Sequence, residues 1–375
     1  MKVLLTGCTG TIGSALVPRL LRDPAAEIVL LMRARDDADL QHRFRSMLSY
    51  WSIAEGDECA ARLWPLRGDV SATRLGLDER THDELGRELT HIVHSAASVK
   101  LNMSMEEAVD TAVMPTRHIL QLGRLAQAAG TLVKMELVST VGVWGRTPGL
   151  MPEQPLPDVA SFHNTYEAAK SQAERLIWDE GRDLPVTVHR PSMVVGETGS
   201  GRVVHFQIFY HLCEFLSGAR TYGVMPDLGQ QRLDTIPVDW VAEVMYWSLN
   251  QPGAEGRILH LCSGPEQSIL LTQLQDEVRR RWVLHGRRVP GLIRVPAAFL
   301  SRAVPVIGLV AGARARRALK ALPPVLAYLS EDQAFSNQRT LALLADAGIS
   351  LPSVASYLGV VLDFYLRTAE RRAAS

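Results

Sequence analysis

The chain has 375 residues, of which 47% are hydrophobic, so it can bury a sizeable core and combine a nucleotide-binding domain with a smaller second part. Forty basic residues balance forty acidic ones, which excludes a global field that would recruit nucleic acid or an anionic membrane. The four cysteines have no metal-knuckle or redox spacing, which favours a reduced, cytoplasmic setting and no metal. Glycine and threonine interrupt the apolar N-terminus before it could act as a signal peptide, and no apolar run is long enough to span a bilayer.

The first informative stretch is a strand, a glycine-rich turn and a helix at the N-terminus. A short apolar run from Lys2 predicts a buried parallel strand, and apolar positions after Ser14 recur at helical spacing. Gly7 would permit a tight turn, Gly10 would let the backbone approach a pyrophosphate, and Gly13 would bring the helix close to the strand. The pattern predicts a dinucleotide site at a helix N-terminus, with contacts from Thr6, Gly7, Thr9, Gly10, Thr11, Ile12 and Gly13.

The residue after the second strand predicts which dinucleotide is bound. This strand is predicted over 27–32 and ends at Arg33. An acidic residue here would hold the free 2′-hydroxyl of NAD, whereas arginine suits the 2′-phosphate of NADP. We therefore predict NADPH as the cofactor, held by Arg33; the alternative is an arginine that is merely solvated.

Later strand ends complete the predicted cofactor site. A strand over 62–70 contains Asp69, which could accept a hydrogen bond from the adenine amino group or could instead cap a turn. The strand over 91–94 runs into small residues, which suit a cofactor backbone passing the carboxyl edge of a parallel sheet. His94 has no visible acid–base partner and is interpreted as structural. The predicted contacts at these ends are Asp69, Val70, Ser95, Ala96, Ala97, Pro191 and Ser192.

Strands alternate with helices through the first half of the chain. A helix over about 105–129 precedes a fifth strand over 132–138, and a sixth strand covers 185–190. This alternation predicts an α/β fold of Rossmann type with a doubly wound parallel sheet. The predicted division is a Rossmann domain over 1–200, to which 233–260 returns, and a smaller, mostly helical substrate region over 201–232 and 261–375.

Three side chains are candidates for catalysis. Tyr166 and Lys170 lie four residues apart in a segment whose alanines predict a helix, so both would emerge on one face. An ammonium near a phenol lowers the pKa of the phenol, which would bring tyrosine into range as a proton donor. Thr140, after the fifth strand, would hydrogen-bond a substrate carbonyl, with Ser139 as the competing assignment. The alternatives are a chance spacing of tyrosine and lysine, and a hydroxyl that only satisfies a strand-end backbone group.

Together these motifs resemble an extended short-chain dehydrogenase/reductase over about 1–260. The resemblance is carried by the glycine pattern, the hydroxyl after strand five, the Tyr166–Lys170 spacing and Arg190-Pro191. A narrower resemblance, to the thioester reductase and fatty acyl-CoA reductase branch, is carried by the helical insert over 39–53 and by the segments 68–70, 75–77, 94–99 and 138–140.

The resemblance implies a reaction and a set of substrates. NADPH would deliver hydride to an acyl carbonyl held by Thr140 and Tyr166, and Lys170 would bind the nicotinamide ribose and depress the pKa of Tyr166. A thioester, as an acyl-CoA or on an acyl carrier protein, would yield an aldehyde and a free thiol, with further reduction to the alcohol left open. The alternatives are a ketone, aldehyde or sterol-type reductase or dehydrogenase, a nucleotide-sugar epimerase, and a non-catalytic NADP-binding sensor.

Two regions depart from the family pattern or match it less clearly. The family often has Asn-Val-x-Gly-Thr where this chain has 112–116, which puts a proton relay through that asparagine in doubt. The apolar, proline-broken stretch over 289–329 is consistent with an acyl channel or a membrane-surface helix whose basic cluster meets phosphates of a carrier or lipid. An ordinary helical core with a solvated basic face is the alternative. The cluster is Arg314, Arg316, Arg317 and Lys320.

Overall fold

The computed structural model describes residues 1–101, 103–296 and 333–374. Its strands, in chain order, are β1 (Lys2–Thr6), β2 (Glu27–Met32), β3 (Leu63–Arg67), β4 (His91–His94), β5 (Lys134–Val138), β6 (Gly149–Met151), β7 (Val186–Pro191), β8 (Met193–Val195), β9 (Val224–Pro226), β10 (Arg232–Leu233), β11 (Thr235–Pro237), β12 (Ile258–Leu261), β13 (Ile269–Leu270), β14 (Ile293–Val295) and β15 (Gln333–Phe335).

The helices surround these strands and alternate with them in the first half of the chain. They are α1 (Thr11–Leu20), α2 (Asp37–Trp51), α3 (Glu58–Ala61), α4 (Glu79–Glu88), α5 (Met105–Ala128), α6 (Thr165–Glu180), α7 (Ile208–Leu216), α8 (Val238–Asn250), α9 (Gly264–Gln267), α10 (Leu271–Leu284), α11 (Gln338–Ala345) and α12 (Val354–Ala374). Short 3₁₀ turns cover Thr73–Gly76 and Val141–Trp144.

Seven strands form one parallel sheet in the order β12-β7-β5-β4-β1-β2-β3. The chain builds outward from β1 through β2 and β3, then returns to β4 and builds in the opposite direction, which confirms the predicted doubly wound Rossmann-type fold. The direction reverses between β1 and β4, where Thr6 pairs with His94 at the carboxyl edge. Ligands of such sheets bind in the crevice at this reversal, so the fold fixes where the site lies.

Both faces of the sheet are covered, as parallel sheets require. Side chains of a strand alternate between faces, so Val3 and Leu5 pack with α1 and α8 on one side. Leu4 packs with residues of α4, α5 and α6 on the other side. All three are fully buried, which explains why β1 is a continuous apolar run in the sequence.

The third strand ends earlier than the sequence predicted. The prediction was 62–70, but β3 ends at Arg67. The chain then turns, because the Asp69 N–H donates to the Leu75 carbonyl oxygen within the same loop, at 2.8 Å, instead of to a neighbouring strand. The following residues therefore form a turn at the carboxyl edge of the sheet. The sequence did not single out β12, which adds the seventh strand beside β7.

A second hydrophobic core lies among α7, α10 and α12 and includes the fully buried Phe209 and Tyr357. These helices come from the predicted substrate region over 201–232 and 261–375. Helix α11 behaves differently, because its buried Leu344 packs in the core beside α1 and α8. The exact division of the chain into two domains stays a prediction.

The apolar stretch over 289–329 is described only up to residue 296. Its predicted acyl channel or membrane-surface helix therefore lies mostly outside the described residues, as does its basic cluster. Within the described part of the chain, none of the helices has both the length and the apolar character needed to cross a bilayer.

Candidate active site

The glycine turn lies between β1 and α1 and brings three backbone segments together. Gly7 has φ +78°, a conformation that residues with a Cβ rarely adopt, and a Cβ here would lie 2.7 Å from the Ala96 nitrogen. A Cβ on Gly13 would lie 2.3 Å from the Gly7 carbonyl oxygen, so this position allows α1 to approach the turn. Among the described residues, a Cβ on Gly10 would have one heavy atom within 4 Å, that same Gly7 oxygen at 3.1 Å, so the rest of the space around this position is open.

The N-terminus of α1 is suited to an anion. Gly10 stands at the N-cap position, and among the described residues no side chain makes a capping hydrogen bond there. The N–H groups of the first helical turn point out of the helix end with a partial positive charge. A pyrophosphate fits this end together with the open side of Gly10, so the turn has the features that a dinucleotide requires.

The ends of β1 and β4 are tied together by side chains predicted to contact the cofactor. Thr6 Oγ1 lies 2.8 Å from His94 Nδ1, and Ser95 Oγ donates to the Thr6 carbonyl oxygen at 2.8 Å. The Ala96 N–H donates to Thr6 Oγ1 at 3.3 Å. Burial lowers the pKa of His94 to about 3, with the charge of Lys170 acting in the same direction, so the imidazole is neutral and structural as expected.

Asp69 occupies the turn after β3. Its Oδ1 accepts hydrogen bonds from the Ser71 N–H at 3.0 Å and from the Ser71 hydroxyl at 2.7 Å, which is the turn role named as the alternative. The Val70 carbonyl oxygen lies 2.9 Å from Nδ1 of His118 in α5. The predicted contact between Asp69 and adenine stays a prediction.

Arg33 is exposed immediately after β2 at the carboxyl edge, where the sequence predicted it. The sequence did not single out Arg43 in α2, whose charge acts on the Cys8 thiol in the glycine turn. Burial raises the pKa of Cys8 to about 12, and the nearby guanidinium opposes this rise. Arg43 comes close because α2 folds back on α1, with Trp51 Nε1 donating to the Ser14 carbonyl oxygen at 2.8 Å. The sequence signal that could have identified Arg43 is its position ten residues after Arg33, on a predicted helix with an apolar face.

The three predicted catalytic residues meet at the carboxyl edge of β5. Helix α6 begins after Asn164, whose side chain accepts the Glu167 N–H at 3.0 Å and thereby places Tyr166 in the first turn. The Thr140 side chain lies near enough to the Tyr166 phenol to lower the pKa of that phenol. One turn further along, Lys170 Nζ donates to the Val138 carbonyl oxygen at 2.7 Å.

The structure distinguishes Ser139 from Thr140, the two neighbouring hydroxyls between which the sequence left the catalytic assignment open. Ser139 is buried, and its Oγ donates to the Glu174 carboxylate at 2.6 Å. Thr140 is half-buried, faces Tyr166, and its Oγ1 also accepts the Gly142 N–H at 3.2 Å. Thr140 is therefore the hydroxyl placed beside the phenol, and Ser139 is turned into the protein.

The pKa values of Tyr166 and Lys170 differ from the sequence-based expectation in one respect. Burial raises the pKa of Tyr166 to about 12, the charge of Glu167 adds to the rise, and the Thr140 hydrogen bond opposes it. Burial also lowers the pKa of Lys170 to about 8, against the opposing charge of Glu174. The expected lowering of the Tyr166 pKa by Lys170 is not seen, because burial dominates and the ammonium is directed at the Val138 carbonyl.

The segment that departs from the family pattern is apolar in the structure. Ala112 of α5 is buried and packs with Ala169 and Ala173 of α6. Pro115 lies within the same helix and is also buried, so α5 lacks one N–H donor at this level.

Comparisons with known proteins identify the family of the chain. Residues 5–245 match the family described as male sterility protein, a family of NAD-binding domains. The chain is 34% identical over 255 residues to isonitrile lipopeptide synthase of Streptomyces coeruleorubidus, and the match covers 67% of this chain but only 17% of that protein.

Two solved structures show how far the likeness extends along the chain. The terminal R domain from the myxalamid PKS-NRPS biosynthetic pathway is 27% identical to this chain and has a TM-score of 0.82. The superposition covers 98% of this chain and 91% of that one. A thiolation-reductase di-domain from an archaeal non-ribosomal peptide synthetase has a TM-score of 0.76 at 17% identity, covering 98% of this chain and 76% of that one, and shows the fold alone.

The fold and the site define an NAD(P)-binding oxidoreductase of the extended short-chain dehydrogenase/reductase type. The chain belongs to the male sterility protein family. This membership confirms the resemblance found in the sequence.

Proposed function

We propose that the chain is an NADPH-dependent reductase that converts an acyl thioester to an aldehyde. The observation that carries the proposal is the meeting of Thr140, Tyr166 and Lys170 at the end of β5, on the same carboxyl edge of the parallel sheet as the glycine turn after β1. Support also comes from the 27% identity to a terminal R domain over nearly the whole chain. The relative that is 34% identical over 255 residues is a lipopeptide synthase, and the match covers only 17% of its length, so the activity of the whole protein is part of the proposal.

The residues divide the chemistry among them. The Thr140 and Tyr166 hydroxyls would hold the carbonyl oxygen of the thioester by two hydrogen bonds, which become stronger as negative charge develops on that oxygen. Bound NADPH supplies the hydride. Tyr166, protonated because of its high pKa, would give its proton to the oxygen. The product is a hemithioacetal, whose C–S bond then breaks to leave an aldehyde and a free thiol.

Lys170 has a positioning task in this scheme. Its ammonium is buried and bonded on one side to the Val138 carbonyl oxygen, which leaves further N–H donors for the hydroxyls of the nicotinamide ribose. Near neutral pH most of the ammonium stays charged, because the pKa is about 8.

NADPH, in preference to NADH, is proposed from two arginines near the adenosine end. Arg33 follows β2, and Arg43 lies close to the glycine turn. Guanidinium groups bind phosphate through paired, charge-assisted hydrogen bonds. Arg33 and Arg43 would supply this charge to a 2′-phosphate bound near the end of β2.

The acyl group is proposed to arrive on a carrier protein or on coenzyme A. A carrier is supported by the relatives, one of which is a synthase and another a thiolation-reductase di-domain. The cytoplasmic setting also stays a prediction from the sequence.

The test follows NADPH oxidation with acyl-CoA thioesters, carrier-bound acyl groups, and matched free aldehydes and ketones. We expect oxidation with a thioester, one free thiol released per aldehyde trapped, and a loss of about 100-fold or more in Tyr166→Phe with NADPH binding retained. Oxidation with ketones alone would contradict the proposal. NADPH binding without turnover of any of these substrates would favour a sensor.

A further inference from the structure

A buried carboxylate lies one helical turn beyond Lys170. Glu174 follows Lys170 by four residues on α6, so the two side chains share a face of the helix. Glu174 is 1% exposed, and the mechanism proposed above gives it no task. A carboxylate this deeply buried needs partners that compensate for the loss of water.

The partners of Glu174 come from two other elements. Arg190 of β7 is fully buried, and its Nε donates to the two carboxylate oxygens at 3.1 and 3.0 Å while its Nη2 donates to Oε1. Ser139, at the end of β5, donates its hydroxyl to Oε2 at 2.6 Å. The carboxylate therefore joins the catalytic helix to the strand end that carries Thr140.

We propose that Glu174 is a positioning residue, which acts through Lys170 by its charge and through Thr140 by holding the Ser139 hydroxyl. Its catalytic meaning rests on the proposed function. The effect on Lys170, however, is a property of the protein alone and needs no substrate.

The charges around Glu174 decide the sign of its effect. Lys170 on α6 and Arg190 on β7 are the cations that face it. His260 of β12 lies behind Arg190, with its Nε2 3.1 Å from Nη1. Burial and the charge of Arg190 lower the pKa of His260 to about 3, so this imidazole is neutral and adds no charge. Removing the negative charge of Glu174 thus removes the charge that opposes the effect of burial on the pKa of Lys170.

The Ser139 contact acts on geometry. Residues 139 and 140 are neighbours, so their side chains point in different directions from one extended backbone. Fixing the Ser139 hydroxyl inward against Glu174 directs Thr140 outward toward Tyr166. Loss of that contact would let the strand end relax, which changes catalysis without removing a reacting group.

The chain contains five lysines, so the titration of Lys170 can be followed directly by NMR of protein labelled with ¹³C at lysine Cε, with Lys170→Arg assigning the signal. We expect Glu174→Gln, which keeps the shape and removes the charge, to lower the titration midpoint of Lys170 by about one pH unit or more. NADPH affinity, measured by fluorescence, should then weaken at a lower pH than in the wild type.

Glu136→Gln is the matched control. Glu136 is a fully buried carboxylate of β5 that is paired with His189 and accepts the Ser248 hydroxyl at 3.0 Å, away from Lys170. We expect it to leave the Lys170 titration in place. An unchanged midpoint in Glu174→Gln, or an equal shift in both variants, would overturn the charge effect.

Two further variants test the geometric effect and cover a failure of Glu174→Gln to fold. Ser139→Ala and Glu174→Asp keep the negative charge, and we expect each to lower kcat about tenfold with the midpoint of Lys170 and the KM for NADPH nearly unchanged. Wild-type kcat in both would overturn this half of the proposal. A wild-type protein with no thioester activity would refute the proposed function instead. The NMR titration would still test the charge effect of Glu174 on Lys170, because it needs no substrate.

Discussion

At the scale of single residues, the environment of each side chain decides which of several candidates faces the reaction. Ser139 and Thr140 both carry a hydroxyl, yet Ser139 donates to a buried carboxylate whereas Thr140 lies near enough to the Tyr166 phenol to lower its pKa. The two arginines proposed to bind the 2′-phosphate show the same principle, because the fold of α2, and not the sequence near Arg43, brings Arg43 close to the glycine turn.

Cofactor choice is predicted to depend on Arg33 and Arg43. In the variant Arg33→Ala/Arg43→Ala we expect the Kd for NADPH to rise about 100-fold, since each charge-assisted hydrogen bond contributes roughly 1.5–3 kcal/mol. The Kd for NADH should change less than about threefold, because NADH has no 2′-phosphate. Fluorescence titration of both nucleotides measures the two values.

Arg35→Ala is the control for this prediction. Arg35 is 86% exposed at its side chain and lies 3.7 Å from Asp39, so its removal should leave both affinities nearly unchanged. Equal weakening of NADPH and NADH in the double variant would show that the arginines shape the site in general and do not read the phosphate.

At the scale of elements, the glycine turn and α1 form one unit with β4. The Gly7 backbone fits against Ser95 and Ala96 only because Gly7 lacks a side chain. Helix α1 approaches the turn closely only because Gly13 also lacks a side chain. Here the contacting atoms belong to backbone, which cannot move aside as a flexible side chain can. The unit therefore couples local stability to the shape of the helix end at which we propose that the pyrophosphate binds.

Gly13→Ala is predicted to disturb both properties. Its new Cβ would lie 2.3 Å from the Gly7 carbonyl oxygen, so α1 must shift outward, at a cost of about 1–3 kcal/mol in the free energy of unfolding. NADPH affinity should fall in the same variant. Gly56→Ala is the control, because Gly56 is exposed with no atom near its Cβ position, and its effect should stay within about 0.5 kcal/mol in denaturant unfolding. Equal stability of the two variants would contradict the role given to Gly13.

At the scale of the whole molecule, neutral histidines are buried within the sheet. His94 of β4 and His260 of β12 have pKa values lowered to about 3, mainly by burial. The ring of His260 fits a neutral form, with Nδ1 2.8 Å from the Ser336 carbonyl oxygen and Nε2 facing Arg190. Protonation of this ring would place a second cation beside the guanidinium.

Stability is therefore predicted to fall in mild acid. The unfolded chain binds protons at these histidines near pH 6.5 and the folded chain near pH 3, so the unfolded state gains protons as the pH falls through this window. Each histidine should lower the free energy of unfolding by about 1–2 kcal/mol between pH 7 and pH 5. Urea unfolding at the two pH values measures the loss.

Two variants identify the source of this loss. His260→Gln removes one titrating ring and should reduce the difference between pH 7 and pH 5. His42→Gln, at an exposed position of α2, should leave the difference unchanged. A free energy of unfolding that is the same at both pH values would contradict the assignment of neutral buried histidines.

Several features were predictable because they depend on neighbours in the sequence. The turn at Gly7 and the shared helix face of Tyr166 and Lys170 follow from local geometry, and the alternation of elements predicted the doubly wound sheet. The strand Ile258–Leu261 and the early end of β3 were not predictable in this way. The first is identified by its pairing with β7 and the second by a hydrogen bond from Asp69 within its own loop.

The sequence by itself thus determined the class of fold, the glycine turn and the spacing of tyrosine and lysine, because backbone sterics and helical periodicity act over a few residues. Only the tertiary structure decided that Thr140 faces Tyr166, that the Lys170 ammonium meets the Val138 carbonyl, and that Glu174 is paired with Arg190. These outcomes depend on burial and on distances between elements far apart in the chain. Both quantities are set when the sheet and its helices pack together.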